Sequence, residues 1–312
     1  MFCITHKGSE NNIKNTDKES FCATPINWFP GHMAKTVRKL KEDLNLVDIV
    51  AEVIDARIPI SSKNPEIDFI ISKKPRFIIL NKADLADNFQ TSAWQKYYNS
   101  INIPSIKLNC IKDKAMPEFC KICQSILKDK IEKWHSKGMI GKNIKVMIVG
   151  VPNVGKSTLI NNLTKKKRAE VENKPGITRI NQWFSINNGF ELLDTPGVLW
   201  PKFESQIVSQ NLAFTGAIKD AILDYEDIAF HLVKKLIKKY PDNLTGRFDI
   251  NLLNSQEPDT IIENIGKKRG ILTRGGSVNT EKISRIIVNE FKTGKLGKIT
   301  LESVDDVIEN YR

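Results

Sequence analysis

The sequence predicts an α/β domain with a mostly parallel sheet and helices on both faces, followed by a small all-α domain. Between residues 25 and 203, short apolar runs alternate with helical patterns of about 10–15 residues, as in parallel strands joined by helices. A glycine-rich turn at 150–157 separates one such run from a helix. Beyond about residue 204 only helical patterns remain, which predicts the all-α domain at 204–312. Residues 1–24 are polar and aperiodic, so we expect a flexible extension there.

Regular structure is expected to begin with an amphipathic helix that ends near Leu44. The expected strands lie at 47–54, 77–80, 104–108, 146–149, 182–187 and 190–193. The expected helices lie at 64–72, 91–100, 116–134, from 157 onward, and at 205–217, 226–239, 257–268, 280–292 and 302–310. Asn188-Gly189, between the last two strands, predicts a tight hairpin because both residues tolerate the positive φ angles of such a turn.

The glycine-rich turn reads GVPNVGKS from Gly150 to Ser157, a GxxxxGK[ST] motif between an apolar run and a helix. Its glycines let successive backbone N–H groups face a phosphate, and the helix start adds its dipole at the same point. We expect Lys156 to reach the β- and γ-phosphates and the Ser157 hydroxyl to bind magnesium. The predicted phosphate-binding residues are Pro152, Asn153, Val154, Gly155, Lys156, Ser157 and Thr158.

A second motif, Asp194-Thr-Pro-Gly197, follows a predicted strand. In this position the aspartate holds magnesium, usually through a water molecule, and the Gly197 N–H can contact the γ-phosphate. Thr178 lies in the loop between the first motif and the hairpin, where it can complete the magnesium coordination when a triphosphate is bound. The sequence therefore predicts a magnesium-dependent nucleoside triphosphate site.

The base is expected to be read by Asn81-Lys82-Ala83-Asp84, at the end of an apolar strand. The Asp84 carboxylate can accept two hydrogen bonds from the guanine N1–H and N2 amine, which adenine cannot offer. Losing such paired bonds in a buried site changes selectivity by roughly 10⁴–10⁵. Asn109 and Cys110 follow the next strand and form the second base-contacting loop, where serine is usual at the position of Cys110. The predicted ligand is GTP.

The order of these motifs is unusual, because the base-reading loop (Asn81–Asp84) precedes the phosphate-binding loop (the P-loop, Gly150–Ser157). In this order the chain resembles the circularly permuted GTPases of the RbgA (YlqF) family. The segments that match the family are Trp28–Lys35, Asp55–Pro59, the three nucleotide motifs, Leu199–Lys202 and Thr215–Asp220, and the resemblance covers about residues 26–300. The resemblance implies late assembly of the large ribosomal subunit, contacts with rRNA and ribosomal proteins, GTP hydrolysis stimulated on the subunit, and release afterwards.

Val198 stands where Ras-like enzymes carry a water-positioning glutamine, so hydrolysis by the isolated chain should be slow. His32 is similar to the family's catalytic histidine, although a histidine satisfied by hydrogen bonds within its own turn is the alternative. Asn153 resembles the asparagine of potassium-activated GTPases, which makes K⁺ a second candidate cofactor beside Mg²⁺. The expected catalytic residues are His32, Lys156, Thr178 and Gly197.

The composition indicates which kind of partner and which cellular compartment to expect. The net charge of +12 lies mainly in residues 25–200 and indicates a polyanionic partner, with a lysine-rich solvated surface as the alternative. Five cysteines without framework spacing fit a reducing compartment, and no apolar run is long enough for a membrane span. A cytoplasmic monomer is expected. Cys120 and Cys123 could begin a zinc site, but no second close ligand pair exists, so packing is favoured.

Three alternatives stand beside this interpretation. The chain could be a GTP-driven switch for protein or membrane partners with negligible hydrolysis. Permuted GTPases of small-subunit assembly usually carry an OB domain and a Cys/His zinc module, for which this chain has neither the length nor the ligands. A mitochondrial relative is the third alternative, because one sequence does not reveal its host.

Overall fold

The computed structural model describes residues 38–71, 74–111, 114–164, 182–186, 189–200, 205–252 and 257–310. At its centre is a six-stranded sheet in the order β3-β2-β1-β4-β6-β5. The strands are β1 (Ile49–Asp55), β2 (Arg76–Asn81), β3 (Ser105–Lys107), β4 (Ile144–Val149), β5 (Gln182–Ile186) and β6 (Phe190–Asp194). All adjacent pairs are parallel except β5–β6, which is the predicted antiparallel hairpin pair.

The central position of β1 follows from its composition. Every residue of β1 is buried, and the strand pairs with β2 on one side and β4 on the other. A strand covered on both faces requires an almost continuous apolar run, which β1 provides. Because the strands are parallel, their carboxyl ends meet at one edge of the sheet, where Asp55 lies beside Asn81. The sheet therefore brings the ends of β1, β2, β4 and β6 together.

Six helices accompany the sheet in the described residues. They are α1 (38–44), α2 (Pro65–Ile71), α3 (Asn88–Ser100), α4 (Ala115–Ile126), α5 (Lys128–Ser136) and α6 (Lys156–Thr164). The single helix expected at 116–134 is in fact two helices. At the buried Leu127 the backbone leaves helical geometry, with φ −98° and ψ 13°, and this change of direction lets α5 bury Trp134.

Beyond residue 204 the described chain is helical, as predicted. The helices are α7 (Gln206–Phe214), α8 (Tyr225–Lys239), α9 (Pro241–Phe248), α10 (Pro258–Lys268), α11 (Thr280–Lys292) and α12 (Val304–Asn310). Helix α9 is not among the helices that the sequence predicts. Its local signals are weak, with Pro241 at the first helical position, Asp242 in the first turn and Arg247 in the last, and it ends at Asp249 in the left-handed conformation with φ 51°. Helix α8 buries one stripe, including Leu232 and Leu236, against its helical neighbours.

The C-terminal segment returns to the sheet. The Ile299 N–H donates to the Leu85 carbonyl at 3.0 Å, and the Leu301 N–H donates to the Arg57 carbonyl at 2.8 Å. Side chains of α12 pack against the cluster that contains Trp94 and Tyr98 of α3. One apolar core is continuous across the sheet and the helical region. The domain boundary near residue 203 stays a prediction, and the extension at 1–24 lies outside the described residues.

The helices of the described chain fall short of a membrane span: none combines the necessary length with the necessary apolar character.

Candidate nucleotide-binding site

The loop between β4 and α6 has the curled backbone that the P-loop motif predicts. Gly150, Asn153 and Gly155 have positive φ angles of 149°, 60° and 98°. At Gly155 a Cβ atom would lie 2.3 Å from Asn81 Nδ2, so only glycine fits there. The loop ends in the first turn of α6, whose N–H groups have no partner further back in the helix. This arrangement is suited to an anion.

Lys156 is buried inside this loop. Its Nζ donates to the carbonyls of Gly150 at 3.0 Å and Val151 at 2.9 Å. Burial lowers the pKa of Lys156 to about 8, although the nearby Asp194 carboxylate opposes that shift. A phosphate in the loop would add negative charge beside the ammonium group and favour its charged form. Lys156 therefore lies inside the curled loop, and its binding of phosphate stays a prediction.

Asn81 joins the base-reading loop to the two neighbouring loops. Its Nδ2 donates to the Val154 carbonyl at 2.7 Å, and its Oδ1 accepts the Cys110 N–H at 3.2 Å. Lys82 makes a parallel contact, with its Nζ donating to the Asn153 carbonyl at 2.6 Å. The base-reading loop and the P-loop are therefore bonded directly to each other, despite their reversed order in the chain.

The second base-contacting loop uses its main chain. The Cys110 carbonyl accepts a bond from Asn162 Nδ2 at 3.0 Å, in addition to the bond from the Cys110 N–H to Asn81. Neither bond involves the thiol, so cysteine in place of serine preserves both. Asn109 Oδ1 accepts the Ile111 N–H at 3.0 Å. Asn109 and Asp84 line the same cavity, which opens at this end of the site.

The Asp194–Gly197 segment lies against the P-loop from the other side. Asp194 is buried at the end of β6, beside Ile148 of β4, and the Thr195 hydroxyl donates to the Ile148 carbonyl at 2.7 Å. A Cβ atom on Gly197 would lie 2.8 Å from Pro152 Cα, so glycine is required for this close approach. The next residue, Val198, is buried and cannot orient a water molecule with its side chain.

The donor atoms near the phosphate end suit magnesium. Ser157 supplies a hydroxyl in the first turn of α6, and Asp194 supplies a carboxylate. Magnesium prefers hard oxygen ligands and usually takes only one or two carboxylates, with waters and phosphate oxygens completing the octahedron. Among the residues that the structure describes, no group of three or more His, Cys, Asp or Glu residues forms a ready metal cage. Ser157 and Asp194 therefore fit a magnesium ion shared with phosphates.

Two expected site residues, His32 and Thr178, lie outside the described residues. Asn153, the candidate potassium ligand, donates through Nδ2 to the Thr215 carbonyl at 3.0 Å. A cation would be bound through Oδ1, so this bond does not use the ligand atom. It does connect the P-loop directly to the end of α7.

The roles of Asp55 and Arg57 are not apparent from the sequence, where the two residues are only part of the match to the family. The Asp55 carboxylate accepts bonds from Arg57 Nε at 2.9 Å and Nη2 at 2.8 Å, and Lys82 Nζ lies 3.1 Å away. Burial alone would raise the pKa of Asp55, but the two cations outweigh it and hold that pKa well below its usual range. Asp55 therefore holds the Lys82 ammonium group in place.

Arg57 extends this contact into the helical region. Its Nη1 donates to the carbonyls of Phe291 at 3.1 Å and Lys292 at 3.2 Å, at the C-terminal end of α11. A charged pair placed directly after an apolar strand is the only local signal of this role. Nearby, Asn64 Nδ2 donates to the Val198 carbonyl at 3.0 Å and so anchors the segment that follows Gly197.

Comparison with known proteins agrees with this geometry. The family model described as 50S ribosome-binding GTPase matches residues 145–264. Ribosome biogenesis GTPase A of Bacillus cereus is 45% identical over 284 residues, which cover 90% of this chain and 95% of the relative. A GDP-bound YlqF structure is 27% identical with a TM-score of 0.61, covering 86% of this chain and 100% of that one. A GNP-bound YlqF structure from Thermotoga maritima is also 27% identical, with a TM-score of 0.60 and coverage of 86% and 98%.

The permuted motif order, the bonded base-reading and phosphate loops, and these similarities have one explanation. The chain is a circularly permuted GTPase and belongs to the ribosome biogenesis GTPase A family.

Proposed function

We propose that this GTPase acts in late maturation of the large (50S) ribosomal subunit, binds rRNA and ribosomal proteins of the precursor, and leaves after hydrolysis. The observation that carries the proposal is the junction of Asn81 and Lys82 with the P-loop carbonyls, because it joins a guanine-reading loop to a phosphate-binding loop. The names of the relatives and of the family model indicate that the partner is the ribosome. The surplus of positive charge in residues 25–200 supports a nucleic-acid partner.

Each site residue has a proposed task. Asp84 reads guanine, with Lys82 and the loop of Asn109 and Cys110 enclosing the base. Lys156 and the N–H groups from Pro152 to Thr158 hold the phosphates. Ser157, Thr178 and Asp194 would hold magnesium, which supplies charge neutralisation at the phosphates when bound. The Gly197 N–H contacts the γ-phosphate, so that the loop containing it can respond to hydrolysis.

Slow hydrolysis by the isolated chain follows from Val198. Its side chain is buried, its carbonyl is bonded to Asn64, and its N–H donates to the Gly150 carbonyl at 3.4 Å. The valine side chain cannot position the attacking water. The group that assists hydrolysis therefore comes from His32, from a potassium ion at Asn153, or from the ribosomal subunit. Catalysis in this class consists mainly of positioning and charge stabilisation, which a partner can supply.

The nucleotide state can reach the helical region along two paths. Val198, Leu199 and Trp200 are all buried, so the connection that leaves Gly197 is anchored in the core. The second path is the bond from Asn153 to Thr215, which ties the P-loop to α7. A shift of either loop on loss of the γ-phosphate would alter the contacts of α7 and so change affinity for the subunit.

The test is cosedimentation of the purified chain with separated ribosomal subunits, in the presence of GDP or a non-hydrolysable GTP analogue. At physiological ionic strength, we expect the large subunit to retain the chain with the analogue and to release it with GDP. A Lys156→Ala variant is the matched control, because it should lose the nucleotide dependence. Retention on the small subunit, or equal retention with both nucleotides, would contradict the proposal.

A further inference from the structure

A groove with a cavity volume of about 930 Å³ opens beside the guanine end of the site. It runs along the outer edge of β3, between α3 and α4, and the segment that precedes α12 contributes Lys298 to its wall. Asp84 and Asn109 line its inner end. Its size exceeds what a guanine base needs, so most of the groove has no task in the nucleotide site.

Four exposed lysines line this groove: Lys107, Lys114, Lys121 and Lys298. Within the described part of the chain, none of the four forms an ion pair with a carboxylate. Lys107 Nζ lies 3.5 Å from the Ser92 hydroxyl, and Lys298 Nζ lies 3.3 Å from Asn88 Oδ1.

Acidic side chains are fewer along the same walls. Asp84 and Glu118 are the acids in the lining, and Asp84 has the guanine to bind. Some lysines elsewhere, such as Lys130 with Asp48 at 2.6 Å, have carboxylate partners. The groove is therefore positively charged and suited to a polyanion.

Two features decide which polyanion fits. The edge of β3 is capped by side chains, since the Ser105 N–H donates to Asn99 Oδ1 at 2.9 Å and the Ser105 carbonyl accepts Gln95 Nε2 at 3.0 Å. A capped edge cannot pair with an incoming peptide strand at that residue. No aromatic side chain is among the described residues that line the groove, so unstacked bases would find no platform. Both features favour contacts to phosphates.

We propose that this groove, defined by Lys107, Lys114, Lys121 and Lys298, binds the phosphate backbone of an RNA helix. The proposal rests on the proposed function in ribosome assembly and adds the surface that would contact the RNA. Asp84 and Asn109 form a wall shared by the groove and the guanine site. GTP and GDP carry the same base, so RNA binding in the groove should be equal with either nucleotide.

The test compares two triple variants of the full chain. The first is Lys107→Gln, Lys114→Gln and Lys121→Gln. The matched control is Lys39→Gln, Lys133→Gln and Lys282→Gln, which removes the same charge from exposed positions outside the groove. Binding of a labelled RNA duplex is followed by fluorescence anisotropy over a range of salt concentrations. The slope of log affinity against log salt should fall by roughly 2–3 in the groove variant and by less than about 1 in the control.

Equal loss of slope in both variants would overturn the proposal, because RNA affinity would then depend on the net charge of the chain and not on the groove. Displacement of the RNA by polyglutamate at equal charge concentration would also overturn it, in favour of an acidic protein partner. Thermal melting and GTP titration should match wild type in both variants. If the triple variant unfolds, each single substitution provides the same test, with an expected loss of about 1 in slope.

Cosedimentation with ribosomal subunits separates this proposal from the proposed function. If wild type binds the large subunit and the groove variant behaves like the control, the groove assignment is wrong and the function stands. If RNA binding depends on the groove but neither subunit retains the chain, the function is wrong and the groove stands.

Discussion

The nucleotide edge of the sheet and its interface with the helical region are both rich in buried polar groups, but they use them differently. At the nucleotide edge, Lys156 is bonded to carbonyls of its own loop and lies where a phosphate can bind. At the interface, the Arg57 guanidinium donates hydrogen bonds to the Asp55 carboxylate and to two carbonyls at the end of α11. A binding site leaves charge available to a ligand, whereas an interface pairs it internally.

Glu302 shows how completely the interface is paired. Its carboxylate accepts bonds from the Ile60 and Ser61 N–H groups, the Ser61 hydroxyl and Asn211 Nδ2. Burial raises the pKa of Glu302, and these hydrogen bonds partly offset that shift. The segment around Ser61 is thereby fixed to residues 300–302, and through Asn211 to α7. Removing one partner from such a network should affect stability, whereas removing a ligand-binding group should affect affinity.

The largest expected effect is on nucleotide affinity. Lys156→Ala should weaken GTP–magnesium binding by about a hundredfold or more, because it removes charge-assisted contacts worth about 1.5–3 kcal/mol each. The chain without nucleotide should melt no earlier than wild type, since folding places this ammonium group in a buried position that lowers its pKa. Nucleotide titration beside thermal melting provides the check. Normal turnover in a folded Lys156→Ala variant would place the active site elsewhere.

The same lysine predicts a pH dependence without ligand. The pKa of Lys156 is about 8 in the folded chain and near its usual 10.5 when unfolded, so the unfolded state binds the proton more strongly between these values. Wild type should therefore gain stability relative to Lys156→Ala as pH rises through this window. Denaturant unfolding at several pH values measures the difference, and parallel curves would argue against the buried position of Lys156.

An effect of similar size, now on stability, is expected at the interface. Arg57→Met should lower the free energy of unfolding by about 3 kcal/mol, because Asp55 loses its bidentate partner in a buried site and α11 loses two hydrogen bonds. The matched control is Arg285→Met, whose exposed pair with Glu281 should contribute less than about 1 kcal/mol. Denaturant unfolding of both variants measures this, and equal losses would mean that the Arg57 pair is no more than a surface salt bridge.

The smallest effect concerns a buried glutamate that lacks the partners of Glu302. Within the described residues neither carboxylate oxygen of Glu52 has a hydrogen-bond partner, and burial raises the pKa of this group to about 7, with smaller effects from Lys63, Asp68 and Arg76. Glu52→Gln should stabilise the chain by about 1–2 kcal/mol above pH 7 and by little at pH 4.5, because only the charged form is penalised by burial. Melting across this range is the measurement; a gain that is constant with pH would contradict the explanation.

The difference between the two regions also explains what the sequence could predict. The strands, the P-loop and the base-reading loop were predicted because each is encoded in a short pattern next to an apolar run. Glu302 and Ser61 are separated by 241 residues, and no local pattern specifies that partner. The break at Leu127 and helix α9 were missed for the same reason, since packing rather than periodicity determines them. Asp55 and Arg57 belong to a segment that matches the family, but the sequence does not predict which residues they contact.

The central claim is that Asp84 reads guanine next to the P-loop, and competition between nucleotides tests it most directly. An Asp84→Asn variant should lose GTP affinity and gain affinity for xanthosine triphosphate, whose C2 carbonyl can accept a bond from the new amide. Loss of the paired carboxylate bonds should change the ratio of the two affinities by roughly 10³ or more. Asp87→Asn, a helix cap on the same loop, is the matched control and should leave the preference unchanged. A variant at Asp84 that still prefers GTP as strongly as wild type would contradict the account.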